Sequence, residues 1–242
     1  MTDEEQAREA AQGEQASVPT HAQRQERQAR LERHGLLIFL GQIIGIAAVP
    51  LVDAGSQSVP IAYVILSLTI AITTVWILGY QRLTYFLVAT SLLAGIWFQL
   101  GFAKLAVFGP PPILLFLLVK VVCVIVCIRQ AFRAGVPSTQ RIYCGAASFI
   151  MLGIFFAGIH LFVNKMEIGH YALPAEFEGS RHLRWVDFLW FSFATLSTAG
   201  YSDLVPVGSL PLTIATMEGL SGLLFPATLI ARIASLPTEH SD

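Results

Sequence analysis

Six apolar runs, most of them long enough to cross a membrane, constrain this chain more than any other feature of its sequence. They are Gly35–Val52, Pro60–Tyr80, Thr84–Phe108, Ile113–Ile128, Ile142–Val163 and Leu210–Ile233. A helix that spans the hydrocarbon core needs about 20 predominantly apolar residues. Because lipid offers no hydrogen-bond partners, only a helix satisfies the backbone within such runs. The sequence therefore predicts an all-α membrane protein with six transmembrane helices.

The composition agrees with a lipid environment and excludes one class of partner. Hydrophobic residues make up 55% of the chain and charged residues only 13%, about half the charged share of a soluble domain. The formal net charge is −1. A nearly neutral chain has no overall attraction for a polyanion, so we expect no nucleic-acid partner.

The distribution of basic residues predicts the orientation in the membrane. If the amino terminus is inside, one side of the membrane carries ten of the 15 basic residues, namely Arg8, Arg24, Arg27, Arg30, Arg33, Arg82, Arg129, Arg133, Arg141 and Arg232. The opposite side carries Lys165, Arg181 and Arg184. Cytoplasmic loops hold the excess of Lys and Arg, so we expect both termini to be cytoplasmic.

A shorter apolar segment lies between the fifth and sixth runs. Residues Trp185–Ser197 read WVDFLWFSFATLS and are flanked by polar sequence. A segment of this length is too short to span. It is typical of a re-entrant helix buried against protein, followed by irregular backbone that lines a cavity.

The residues that follow carry a family resemblance. FATLSTAGYSD resembles the pore helix and selectivity filter of potassium channels, whose filter reads Thr-Val-Gly-Tyr-Gly followed by Asp. The last run resembles the inner helix of small prokaryotic potassium channels with a two-helix pore, through Glu218, Gly219, Gly222, Pro226 and the ending LIAR at residues 229–232. The resemblance covers Ile142–Ser235.

The resemblance implies a homotetramer that conducts potassium ions through a ring of backbone carbonyls, each chain meeting three further copies of itself in the bilayer. The ion would bind the carbonyls of Thr198, Ala199, Gly200 and Tyr201, and no cofactor is expected. Filter residues would continue through Ser202 and Asp203. Glycine is needed where successive carbonyls must turn inward, and Gly200 meets that need. Trp190 and Asp203 would lie behind the filter, indole N–H towards carboxylate.

Two residues depart from the family pattern. Ala199 replaces Val and reduces the packing volume behind the filter. Ser202 replaces the second Gly; if that position keeps a left-handed conformation, serine costs about 1 to 2 kcal/mol. We therefore expect the outermost ion site to be altered, and a weakly selective sodium and potassium channel remains an alternative.

Polar and helix-bending residues of the last run have two interpretations each. Glu218 is an intramembrane carboxylate, and burying it there has a high free-energy cost unless it has a partner. It would either support the filter from behind, bonded to the pore helix, or be a protonated structural carboxyl. Gly219, Gly222 and Pro226 would form a gating hinge, since proline removes a helical hydrogen bond, but close helix packing through small residues explains the glycines equally well.

The predicted organisation has four parts. Residues 1–34 form a polar cytoplasmic arm, 35–134 a four-span bundle, 135–235 the pore module and 236–242 a cytoplasmic tail. The resemblance implies the plasma or inner membrane of a prokaryote. A non-conducting scaffold or regulatory subunit that retains the pore fold is a second alternative. An enzyme is disfavoured, because the intramembrane polar residues form no recognisable catalytic arrangement.

Overall fold

The computed structural model describes residues 21–52, 61–99, 111–133, 138–173 and 183–235. Several predictions lie wholly or partly outside these residues. They are the first 20 residues of the arm with Arg8, the start of the second run at Pro60, the third run beyond residue 99, the boundary between residues 134 and 135, Arg181 of the outer side, and the tail at 236–242. Eight helices and two strands are described. In chain order they are α1 His21–Ala47, α2 Val49–Val52, α3 Ile61–Ile77, α4 Gln81–Gln99, α5 Pro111–Phe132, α6 Ser138–Lys165, β1 His170–Ala172, α7 Trp185–Leu196, β2 Val205–Val207 and α8 Ser209–Ala234.

Four helical segments are long and apolar enough to cross a membrane, and the first of them extends from α1 into α2. The qualifying segments are Glu32–Leu51, Ile113–Phe132, Ser138–Lys165 and Ser209–Ala234. The second and third predicted runs do form helices, but α3 has only 17 residues and α4 begins with the polar pair Gln81 and Arg82. Among the described residues the structure therefore shows four candidate spans rather than the predicted six.

The fold is mostly helical, not entirely so. Strands β1 and β2 pair antiparallel, with Tyr171 opposite Pro206. The all-α prediction missed this sheet because each strand has three residues, which is too short for an alternating pattern to be read. The sheet ties the segment after α6 to the segment that follows the filter motif.

Several helix ends differ from the predicted ones. Helix α1 begins at His21 and runs through the predicted arm boundary at residue 34. Helix α5 begins before the predicted fourth run, and Pro111 and Pro112 are its first two residues. Proline is tolerated in the first turn of a helix, where its missing N–H has no intrahelical partner.

Helix α6 lies at the centre of the packing. Helices α5 and α1 pack on it most extensively, and α7 packs on another of its faces. Ring atoms of Phe193 fill the space beside Gly153 of α6, where a Cβ would lie 2.7 Å from one of them. Of the four candidate spans, α8 is covered least: its buried residues are Pro211, Glu218 and Gly222. Most of the α8 surface is thus left exposed in a single chain.

Candidate functional site

Helix α7 is the short apolar helix predicted before the filter motif. At its start the backbone N–H of Arg184 donates to Asp187 Oδ2 at 2.8 Å, and a negative charge there is favourable to the helix dipole. Eight of its 12 residues are buried. A helix that is apolar on nearly all sides is one that protein surrounds, which accounts for the sequence of this segment.

The backbone leaves α7 through a left-handed residue. Thr198 has φ 59° and Gly200 has φ 67°, and the Gly200 N–H donates back to the Ala194 carbonyl at 3.1 Å. Positive φ at alternate positions reverses every second peptide relative to extended backbone, so neighbouring carbonyls can be brought to one side of the strand. Glycine takes this conformation freely, whereas threonine stores about 1 to 3 kcal/mol of strain. Such stored strain is typical of ligand-binding backbone.

The segment from Thr198 to Tyr201 is solvent-accessible in the isolated chain. Thr198, Ala199, Gly200 and Tyr201 are all exposed, and the Tyr201 side chain is 67% exposed. Within the described residues, no atom beyond Gly200 and its two neighbours in sequence lies within 4 Å of a Cβ placed on Gly200. The segment therefore presents its backbone to whatever lies outside the chain, as a ligand-binding strand requires.

The expected strain at Ser202 is not found. Among the described residues only Glu167 and Thr198 combine a side chain with positive φ. Ser202 instead accepts a hydrogen bond from the Leu204 N–H through Oγ at 3.1 Å, a local turn that serine favours. Ser202 therefore has no strain from a left-handed backbone. In the filter segment, the residue with that strain is Thr198.

The structure does not bring the predicted supporting pair together within one chain. Trp190 is 38% exposed and Asp203 is exposed; no hydrogen bond joins them in the described part of the chain. Ala199, the other departure from the family pattern, is also exposed. The pairing of indole and carboxylate stays a prediction, and in one chain both groups face outwards.

Glu218 lies in a buried network behind α7. Its side chain is fully buried. Oε2 lies 3.0 Å from His160 Nε2, and Oε1 is hydrogen-bonded to Ser192 Oγ. His160 Nδ1 lies 2.6 Å from the Tyr171 hydroxyl, and Ser192 Oγ donates to the Gly153 carbonyl at 2.7 Å. We call these four side chains, Tyr171, His160, Glu218 and Ser192, the buried tetrad.

The tetrad joins four elements of the fold. Its residues come from β1, α6, α8 and α7 respectively. Burial raises the pKa of the Tyr171 phenol, which therefore keeps its proton near neutral pH. Aromatic rings enclose the site: Phe191 lies edge-on to His160 with centroids 4.9 Å apart, and Phe188 lies 5.2 Å from Tyr171.

Sequence reasoning found one member of the tetrad and missed its connections. Glu218 was identified from its cost in the membrane, and its expected bond to the pore helix corresponds to Ser192. The roles of His160, Tyr171 and Ser192 in this network were not predicted. The depth of the two polar residues in the membrane was a usable signal. His160 lies five residues before the end of α6, and Glu218 lies nine residues after the start of α8. These positions are about 8 and 14 Å from the same side of the membrane.

Gly222 lies directly against the end of α7. A methyl group built there overlaps the Leu196 carbonyl oxygen and lies 2.7 Å from its carbonyl carbon. At Gly219 the Thr195 carbonyl oxygen is the nearest atom that α7 brings to such a group, and it is 4.0 Å away. Pro226 lies inside the continuous helix α8. Close packing thus accounts for Gly222, although not for Gly219.

Comparison with known proteins agrees with this geometry. Residues 150–239 match the family described as ion channel. A 68-residue segment is 34% identical to the inward rectifier potassium channel Kirbac3.1 of Paramagnetospirillum magnetotacticum. That segment is 28% of this chain and 23% of the relative, so the match spans about a quarter of the relative's length. No solved structure matches the chain.

These findings confirm the resemblance drawn from the filter motif. The protein is an integral membrane protein of mostly helical fold, and its channel-like part is not an enzyme. Residues 150–239 form an ion-channel pore domain that is distantly similar to that of potassium channels.

Proposed function

We propose that four copies of this chain form a channel that conducts potassium ions passively through carbonyls of Thr198, Ala199, Gly200 and Tyr201. The observation that carries the proposal is the alternation of positive φ at Thr198 and Gly200 directly after a buried pore helix. A dehydrated monovalent cation needs a cage of oxygen dipoles, and rings of backbone carbonyls supply it. The similarity to a potassium channel supports potassium as the ion.

The exposed surface supports assembly of several copies. One chain contributes a single filter strand, which cannot surround an ion. Large apolar side chains on α8 are exposed, among them Met217 at 59%, Leu224 at 61% and Ile230 at 67%. In a tetramer α8 would line the pore and contact neighbouring copies, and Trp190 and Asp203 would meet across or near those contacts. Three further copies complete the site.

The membrane arrangement completes the proposal. Helices α3 and α4 would supply the two spans beyond the four that qualify by length and composition, since 17 residues of helix extend about 26 Å. Six spans with the basic residues inside place both termini in the cytoplasm. We retain the division into an arm at 1–34, a bundle at 35–134, a pore module at 135–235 and a tail at 236–242.

The geometry at Ser202 favours potassium selectivity over weak selectivity. Its hydroxyl forms a turn with Leu204 without a left-handed backbone, so a left-handed serine does not distort the outermost carbonyls. Ala199 remains the residue through which selectivity would be reduced, because it packs less volume than the Val of the family. Selectivity depends on the number and field strength of the coordinating carbonyls.

Reconstitution tests the proposal. Purified protein in liposomes is expected to release potassium down its gradient, and chemical cross-linking is expected to give a ladder that ends at four chains. A ladder ending at two chains would contradict the tetramer. Absence of flux from correctly assembled protein would favour the scaffold or regulatory subunit.

A further inference from the structure

The buried tetrad contains a hydrogen-bond pattern that fixes where its protons are. Four hydrogen bonds connect Tyr171, His160, Glu218, Ser192 and the Gly153 carbonyl. Each bond requires one hydrogen. Tyrosine and serine hydroxyls each have one, and a neutral imidazole has one. Three hydrogens cannot make four bonds, so a fourth must be present.

The direction of the hydrogen bonds is set at the Tyr171 end of the tetrad. Its hydroxyl is buried and within the described residues bonds only to His160 Nδ1. A buried hydroxyl hydrogen needs an acceptor, so Tyr171 donates and Nδ1 carries no hydrogen. His160 is then the neutral tautomer with its hydrogen on Nε2, and that N–H donates to Glu218 Oε2.

At the Ser192 end of the tetrad, Glu218 must donate a hydrogen bond. The single hydrogen of Ser192 goes either to the Gly153 carbonyl or to Glu218 Oε1. If Glu218 is ionised, it is a fully buried anion beside a neutral histidine, and no arginine or lysine among the described residues pairs with it. Such an uncompensated buried charge is strongly unfavourable. If Glu218 carries a proton on Oε1, it donates to Ser192, Ser192 donates to Gly153, and all four bonds form without net charge.

We propose that Glu218 is a neutral carboxylic acid and a positioning residue for the filter, holding the pore helix between α6 and α8 through a one-directional chain from Tyr171 to Gly153. The proposal rests on the proposed function for its effect on conduction, but not for the protonation state. Ser192 lies six residues before Thr198. A shift of α7 at Ser192 therefore moves the start of the filter.

The hydrogen-bond pattern of the tetrad restricts which residues can replace Glu218. The residue must accept from His160 with one atom and donate to Ser192 with another. Glutamine meets this demand without charge, because its amide oxygen accepts and its NH₂ donates. Leucine is close in size but leaves both His160 and Ser192 without a partner, which destabilises a buried polar site.

Infrared spectroscopy of the whole chain in an alkyl glycoside detergent, which has no ester carbonyl to overlap the band, tests the protonation state. At pH 7 we expect the carbonyl band of a protonated carboxylic acid, lost in Glu218→Gln and retained in the exposed control Glu26→Gln. Exposed carboxyls are ionised at this pH, so they do not contribute. Absence of that band from the wild-type spectrum overturns the neutral assignment, whether or not the protein conducts.

Flux and thermal stability test the positioning role. We expect Glu218→Gln to keep potassium flux within about threefold of wild type and Glu218→Leu to lose at least about tenfold, with a transition temperature several degrees lower for Glu218→Leu alone. Equal behaviour of the two variants in both measurements overturns the positioning role. If the wild type itself shows no flux, the proposed function fails, and the infrared band and the transition temperatures still decide this proposal.

Discussion

Replacing Gly222 by alanine tests how α8 and the pore helix are held together. In α8 the added methyl group overlaps the carbonyl oxygen of Leu196. That atom belongs to backbone at the last residue of α7, so it cannot turn aside as a flexible side chain would. Either α8 or the end of the pore helix must move.

The magnitude follows from this contact. Overpacking a well-packed site costs typically about 1 to 3 kcal/mol, and a backbone neighbour places Gly222→Ala at the upper end, about 3 kcal/mol. Alanine recovers about 1 kcal/mol through its better helix propensity. We therefore expect a net loss of about 2 kcal/mol in the free energy of unfolding, and a displaced filter, because Leu196 lies two residues before Thr198.

Gly219→Ala is the matched control in the same helix. Its methyl group would lie 4.0 Å from the Thr195 oxygen, an ordinary contact, so we expect unchanged or slightly raised stability. Thermal unfolding of the purified protein and potassium flux in liposomes measure both effects. If the two glycines form a gating hinge instead, both alanine variants will alter gating while neither lowers stability by the expected amount, and that result would refute the packing account.

Three further predictions concern the filter and the tetrad. Ser202→Gly is expected to leave unchanged or lower the potassium-to-sodium permeability ratio, because it removes the turn with Leu204; a clear rise under bi-ionic conditions would restore the strained interpretation. Gly200→Ala is expected to abolish single-channel current, since its φ of 67° costs an alanine about 1 to 2 kcal/mol. Among the described residues, none beyond its two neighbours in sequence obstructs the methyl group. Wild-type current in this variant would show that the conformation is dispensable. Burial raises the pKa of Tyr171, so its contribution to stability is complete below about pH 10 and declines above it; Tyr171→Phe should flatten the fall of transition temperature in that range, and an unchanged slope would contradict this.

The sequence was most informative where one physical demand dominates. Apolar length predicted the helices that form the candidate spans, and the short aromatic segment predicted α7 to within one residue of its observed end at Leu196. Lipid exposure imposes a strong compositional requirement on a spanning helix. Helix α3 lies at the lower limit of that requirement, and the length of an apolar run alone does not show whether it spans.

The site could be predicted only in part, because its contacts join distant positions. Glu218 was visible as a costly carboxylate, but its bond to His160 connects residues 58 positions apart. Because serine replaces the glycine of the family pattern at residue 202, strain was expected there if that backbone is left-handed. The left-handed residue with a side chain in this segment is instead Thr198. That conformation ends the pore helix through local hydrogen bonds, and the identity of the residue does not reveal it.

The reversal potential across a membrane with opposed potassium and sodium gradients tests the central claim most directly. Total salt is kept equal on the two sides while potassium is tenfold higher on one side and sodium correspondingly higher on the other. A potassium-selective filter predicts a reversal potential close to the potassium equilibrium value, about 59 mV for a tenfold ratio of a single charge. A reversal potential near zero would show that the carbonyls of residues 198–201 do not distinguish the two ions, and would contradict the account.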